Sequence, residues 1–315
     1  MASSPPSLDS LPSEVLIHIL ESIPTRKVLP LAGLSRRFHG LVARLHYARL
    51  VEALALQDHE IILECYHPTV KISTPYLFCD YVGTPGLAEQ SRGGSSLSPS
   101  TSLDGSGDPS LAGMDALYSR FRPVQQEDDR RPRSRYPKRT VVEGLAQPLQ
   151  DLPSHDVHLD AGELFSQLVT VTNLVKVEPK RKLIVDAVNM TDGVIRVWRQ
   201  WLASEASSPS AKPAQGQGQA SVQSSGSSSS SVLDDSAILW ADSKQNCGLR
   251  MRVVEKADEQ APILVAAHSD DSAISYKLEF EELLIRTNQL LLNVEKSKGH
   301  QVVHTAGKAV VIASV

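Results

Sequence analysis

His155 and His158, three residues apart with Asp156 and Asp160 beside them, are the nearest approach to a metal-ligand spacing in the chain. On a helix such a pair shares one face and grips a divalent ion. The local sequence PSHDVHLD instead reads as a strand entry, where residues three apart point to opposite sides. Glu279, Glu281 and Glu282 are the other cluster whose chemistry could count. Acid–base cleavage of a glycoside needs two carboxyl groups held about 5 Å, or roughly 6.5 to 9.5 Å, apart across a cleft. Sequence proximity alone supplies no cleft, so the three read as a solvated strand edge and turn. Nucleophile-elbow, zincin, phosphate-loop and dinucleotide motifs do not occur, and no catalytic residue, metal or cofactor is assigned.

Cys65, Cys79 and Cys247 are far apart and odd in number, which fits neither a metal spacing nor a disulfide framework and leaves reduced, structural thiols. The three tryptophans, Trp198, Trp201 and Trp240, flank a Ser-rich stretch. If the strands on its two sides are neighbours, these rings converge at one end of a sheet. With Arg196, Arg199 and Arg250 near, they would form an aromatic platform for a peptide or a glycan. The competing reading makes them core aromatics. A basic run holding Arg130, Arg131, Arg133, Arg135, Lys138 and Arg139 has one interleaved aromatic, Tyr136, and no recognition helix, so it reads as a solvated loop.

These side chains need a frame, and the chain after residue 59 reads as β material. IILECY, VKIST and YLFCDYV are short strands by their β-branched and aromatic content. TVVEGL, DVHLD and LVTVTNLVKVEP follow. In VIRVW, Val194, Arg196 and Trp198 face one side while Ile195 and Val197 face the other, with Thr191-Asp192-Gly193 read as a tight turn before them and a helix through RVWRQWL as the alternative. Leu249, Met251 and Val253 alternate with Arg250 and Arg252. Ile238-Leu239-Trp240, Ile263-Leu264-Val265, SYKLEFEELL, LLIRTNQLLLNVEK and KAVVIASV complete the strand candidates. Residues 83–135 read as a low-complexity and charged loop with a brief helix in MDALYSRFRP, and 203–236 as a Ser/Gly-rich disordered insertion. A loop added between strands costs only a logarithmic closure entropy. The expected class is α+β: a small N-terminal helical module, then a mostly antiparallel β domain (60–82 and 140–315), sandwich-like or a curved sheet, with long disordered insertions.

The N-terminal module is the most specifically patterned stretch. Pro12 suits the first turn of a helix, Glu14 complements its free N–H groups, and Val15, Leu16, Ile19, Leu20 and Ile23 form one apolar stripe. Pro24 ends that helix. A short second helix follows over Thr25 to Leu34, with Pro30 at the start of a turn, and Ser35 caps a third that carries Phe38, Leu41, Val42 and Leu45. Helices this short must share a core. Residues 8–56, through Leu11-Pro12-x-Glu14-Val15-Leu16, Ile19-Leu20, Ile23-Pro24, Leu34-Ser35-Arg36-Arg37-Phe38 and Leu41-Val42, resemble an F-box in the form common in fungal F-box proteins. Phe38 stands where many members have Trp, and Pro30 where many have a plain helix former.

That resemblance implies a three-helix module docking on a Skp-type adaptor, and through it on the cullin and RING subunits of a ubiquitin ligase. Leu11, Pro12, Val15, Leu16, Ile19, Leu20, Leu34, Phe38 and Leu41 are the adaptor-binding set it implies. Arg196, Trp198, Trp201, Trp240 and Arg250 are the client-binding candidates in the β domain. The chain would then be a non-catalytic receptor for a protein client, the alternative being a β-rich peptide- or glycan-binding protein outside a ligase. The net charge of −4 and pI near 6.2 give no field that recruits nucleic acid or an anionic membrane. The start MASSPPSLDS has no secretory pattern and no stretch reaches the roughly 18 apolar residues of a membrane span, so cytosol or nucleus is expected.

Overall fold

A computed structural model of the chain describes residues 11–69, 74–91, 110–125, 152–178, 183–207, 238–256 and 273–304. Pro12, extended at ψ 149°, starts α1 (Ser13–Glu21), and Leu16 and Leu20 turn inward from it. Pro24 starts α2 (Thr25–Val28), which runs into a 3-10 helix (Leu29–Gly33) with Pro30 in its first turn. Ser35 is extended, and its hydroxyl accepts the Phe38 N–H at 3.3 Å, capping α3 (Arg36–Leu54) as the sequence predicts. The helical character expected to join the module to the rest is the C-terminal half of this same helix.

α3 serves two cores. Phe38, Leu41, Val42 and Leu45 close on Leu16, Leu20 and Val28 in a small cluster. Ala43, Leu50, Ala53 and Leu54 belong instead to the large cluster under the sheet.

The sheet has nine strands: β1 (His59–Tyr66), β2 (Leu77–Gly83), β3 (Tyr118–Val124), β4 (Ser154–Leu159), β5 (Phe165–Glu178), β6 (Leu183–Trp198), β7 (Ile238–Trp240), β8 (Cys247–Lys256) and β9 (Ile274–Arg286). Their order is β6-β5-β1-β2-β3-β9-β8-β7, with β4 also paired to β9, and every recorded pairing is antiparallel. Of the two expected architectures the curved single sheet is the one present, and no second sheet packs on it among the described residues. It curls as a half-barrel until its end strands meet: a Cβ on Gly193 of β6 would lie 2.0 Å from the Ala241 carbonyl oxygen just after β7. Thr191 of β6 likewise donates to the Cys247 sulfur of β8 at 3.0 Å.

Several expectations change. Thr191-Asp192-Gly193 is no turn but the middle of the continuous β6, whose partners on β5 run from Phe165↔Trp198 to Glu178↔Leu183. The alternation Val194, Arg196, Trp198 outward and Ile195, Val197 inward holds. Part of the segment read as a loop over 83–135 is ordered: α4 (Leu87–Ser91) and α5 (Leu111–Asp115) lead into β3, which lies between β2 and β9. MDALYSRFRP is therefore mostly strand, with Ser119, Phe121 and Pro123 inward. LLIRTNQLLLNVEK divides at Arg286 into the end of β9 and the start of α7 (Thr287–His304), because Leu290, Leu291, Val294 and Ser297 fall on one helical face and are buried. TVVEGL, Ile263-Leu264-Val265, KAVVIASV, most of VKIST, the basic run and most of the Ser-rich stretch lie outside the described residues.

Two helices stand at opposite ends of the curl. α6 (Arg199–Ser207) leaves β6 near the start of β9, burying Leu202 against β8. α7 continues from the end of β9 and packs on α3 and β6. Glu295 of α7 accepts hydrogen bonds from the Thr25 backbone and hydroxyl, and Arg49 of α3 lies 3.5 Å from it. Arg49 also donates to the carbonyls of Leu20, Glu21 and Ile23 at the end of α1. The N-terminal helices are thus fastened to the sheet through α7.

Candidate functional site

Ser35-Arg36-Arg37-Phe38 now has a physical account. Ser35 caps α3, the Arg37 guanidinium donates to the Leu11 carbonyl and reaches Ser13 Oγ at 3.3 Å, and Phe38 fills the small core. Cap, clamp and core residue hold the entry of α1 against α3. The nine residues named for adaptor contact divide. Leu16, Leu20, Phe38 and Leu41 are buried within the chain, where they form the module's own small core. Pro12, Val15, Ile19 and Leu34 face solvent, Val15 and Ile19 at 43 % and Leu34 at 67 % exposure, and Leu11 is half-buried. Val15 and Ile19 sit one turn apart on the outer side of α1, an apolar strip left exposed by the described residues.

The second surface is the seam where the curled sheet meets itself. On its outer face β5 and β6 present the cross-strand pairs Phe165/Trp198, Gln167/Arg196 and Val169/Val194. The Phe165 and Trp198 rings lie 5.0 Å apart, and the Arg196 guanidinium rests 5.6 Å above the Phe165 ring. Across the seam β7 brings Leu239 and Trp240, so that Gln167, Val194, Ile195, Arg196, Leu239 and Trp240 line one open depression. Gly193 makes this possible: with no Cβ it lets the Ala241 carbonyl touch β6, and the edges part from there.

The client-binding candidates are therefore brought together in part. Arg196 and Trp240 line the depression at the seam, and Trp198 stands beside Arg196 on the same face of β6 against Phe165. Trp201 does not join them, because the chain turns into α6 after Trp198 and the indole packs on the large core. Arg250 does not either: its guanidinium binds Glu282 at 3.0 Å, where Arg120 also binds. Arg199 latches α6 to the Asp160 and Glu163 carbonyls. Phe165, Gln167, Val194 and Leu239 were not singled out from sequence. Their period-2 alternation was visible, but the register that sets them opposite Trp198 and Arg196 was not.

Most side chains of the clusters that could do chemistry are engaged in hydrogen bonds or ion pairs within the fold. His155 and His158 lie on β4, the first half-buried and the second outward, where His158 contacts Ser275 Oγ at 2.8 Å and Asp160 at 3.2 Å. No group of three potential metal ligands gathers among the described residues. Glu279, Glu281 and Glu282 lie not on an edge but on β9, paired on both sides, where a bulge opposite Arg250 and Met251 turns Glu281 and Glu282 outward in succession. Arg252 binds Glu281 at 2.9 Å, and Lys277 binds Glu279 at 3.0 Å. The three cysteines are free and buried, and burial pushes the Cys65 and Cys247 thiols up to about 12. Ser297, His59 and Asp186 form a hydrogen-bonded trio missed in the sequence, Ser297 lying 3.0 Å from His59 and donating to Asp186 at 2.9 Å. Ser297 is 1 % exposed and its proton points at the carboxylate, so the trio fastens α7 to β1 and β6 and presents no nucleophile.

No described helix is long and apolar enough to cross a membrane. Comparison with protein-family models, with curated proteins and with solved structures finds no match to this chain.

Proposed function

We propose that the chain is the substrate-recruiting F-box subunit of a Skp–cullin–F-box ubiquitin ligase, acting in cytosol or nucleus. Its N-terminal helices dock on a Skp-type adaptor and through it on cullin and RING subunits, and its curled sheet holds the protein client. The polypeptide itself performs no catalysis in this reading, since ubiquitin transfer belongs to the ligase partners. The observation that supports it most is the outward strip of Pro12, Val15 and Ile19, with Leu34 also exposed, on a module whose other apolar residues already form a complete small core. Exposed apolar side chains one helical turn apart mark an interface on an otherwise self-sufficient element.

The test is co-purification with a Skp-type adaptor. The wild-type chain retains the adaptor, and Val15→Asp with Ile19→Asp lowers retention about tenfold or more while leaving the melting temperature nearly unchanged, since both side chains are exposed. Leu16→Ala also loses retention, but through unfolding of the small core. A wild-type chain that never retains the adaptor overturns the proposal and favours the second reading, a peptide- or glycan-binding protein outside a ligase. That reading draws on the seam, which would serve either way.

A further inference from the structure

Arg196 differs from most of the cations on the sheet, and among the described strand residues only Arg122 and Lys176 likewise lack an ion-pair partner. Arg120, Arg250, Arg252, Lys256, Lys277 and Arg286 each have a carboxylate partner. Arg196 has none among the described residues, is exposed, and lies over the Phe165 ring beside Trp198, itself 47 % exposed. Apolar surface surrounds it, with Val194 at 53 % and Leu164 at 62 % exposure. Gln167 is the one other polar side chain lining the depression.

The backbone beside it is also unpartnered among the described residues. There β6 pairs only with β5, and β7 only with β8, so no described ladder crosses the seam. Contact at Gly193 and Ala241 fixes one end of the gap, and beyond it β6 presents the edge of residues 194–198. Such an edge pairs readily with an extended chain, whose alternate side chains then fall on the face that carries Val194, Arg196 and Trp198.

We propose that the open seam between β6 and β7 binds an extended peptide that places a carboxylate on Arg196 between apolar side chains. This rests on the reading of the sheet as the client-binding part and names the chemistry of the client. Main-chain pairing to β6 supplies the register, Trp198, Val194 and Trp240 hold the apolar residues, and Arg196 selects for negative charge. A guanidinium lying over an aromatic ring still has N–H donors for a planar carboxylate. A neutral glycan would use the rings but leave the cation unanswered, so the peptide is the favoured occupant.

The experiment pans two randomised peptide libraries on the purified full-length chain, one with amidated and one with free C-termini. The expected result is enrichment of Asp or Glu flanked by apolar residues in the amidated library, or of apolar residues next to the terminal carboxylate in the free one. The two arms distinguish a side-chain from a chain-end carboxylate. Arg196→Gln weakens the selected peptides about tenfold or more, as expected for losing a charge-assisted hydrogen-bonded pair, while Arg196→Lys retains part of the affinity. Trp198→Ala weakens them as well. Unchanged binding by Arg196→Gln, or enrichment without acidic groups, overturns the proposal, as does binding of a neutral glycan array in place of peptides. Adaptor retention by Arg196→Gln, measured alongside, stays at the wild-type level, so failure of the peptide site and failure of the ligase reading appear separately.

Discussion

His46 sits where the N-terminal helices meet the sheet domain, 3 % exposed, with Nε2 bonded to Asn288 at 2.9 Å and Nδ1 without a partner among the described residues. Burial holds its imidazole below the usual 6.5; Arg49 pushes the same way, while the Asn288 bond and the carboxylates of Asp115 and Glu295 oppose it. Between its two values the unfolded chain binds more protons here than the folded one, so stability rises with pH across that interval and is lost as pH falls below about 6.5. His155, lowered chiefly by its own burial, acts in the same direction. The melting temperature is expected to drop between about pH 7.5 and about pH 5.5, and His46→Gln, which removes the proton acceptor, reduces the drop. A His46→Gln chain with the full wild-type drop would place the effect at other groups. Nothing in the sequence marked this histidine, because its burial comes from Asn288 and α7, 242 residues along the chain.

At the scale of elements, the seam depends on one backbone approach. An added methyl at Gly193 meets the Ala241 carbonyl oxygen at 2.0 Å and its carbon at 2.9 Å, and neither can step aside as a side-chain end would. Gly193→Ala is therefore expected to cost about 1–3 kcal/mol and to splay β7 from β6, whereas Gly33→Ala, with nothing within 4 Å, is nearly neutral. Equal melting temperatures for the two variants would refute the close approach. Elements with local signals were legible: Ser35 capping α3, Pro24 closing off α1, and the outward Arg196 and Trp198 of β6 follow from propensity and period alone. The miss at Gly193 has a physical cause, since Thr-Asp-Gly carries the same composition whether the glycine makes a turn or admits a distant carbonyl. α7 was missed because Leu290-Leu291-Leu292 is an apolar run that fits either period; the buried spacing to Val294 and Ser297 was the helical clue. β3 was hidden by Pro123, which counts against a strand but here lies beyond Tyr118–Phe121, the stretch that pairs with β9.

At the scale of the molecule, the question is whether the N-terminal helices and the sheet domain behave as two bodies or one. An adaptor-binding module tethered loosely would present its client at no fixed place. Here α3 runs unbroken from Arg36 to Leu54, with Phe38, Leu41, Val42 and Leu45 in the small core and Ala43, Leu50, Ala53 and Leu54 in the large one. Arg49 and Thr25 meet Glu295 of α7, and Lys298 of the same helix reaches Glu52 at 2.7 Å. A helix shared by two cores transmits the loss of one to the other, because neither half persists alone. Leu50, fully buried in the large core, is the probe: Leu50→Ala is expected to destabilise the fold by about 2–5 kcal/mol. Hydrogen exchange should show that same loss at the amides of Leu41, Val42 and Leu45, which belong to the small core that Leu50 does not join. If those amides keep wild-type protection while the sheet weakens, the two cores are independent and the fixed spacing between the α1 strip and the β6–β7 seam is lost as an argument. If the loss is shared, α3 is the rigid member that sets one surface relative to the other, and under the proposed function a client at the seam would stand at a constant distance from an adaptor on α1.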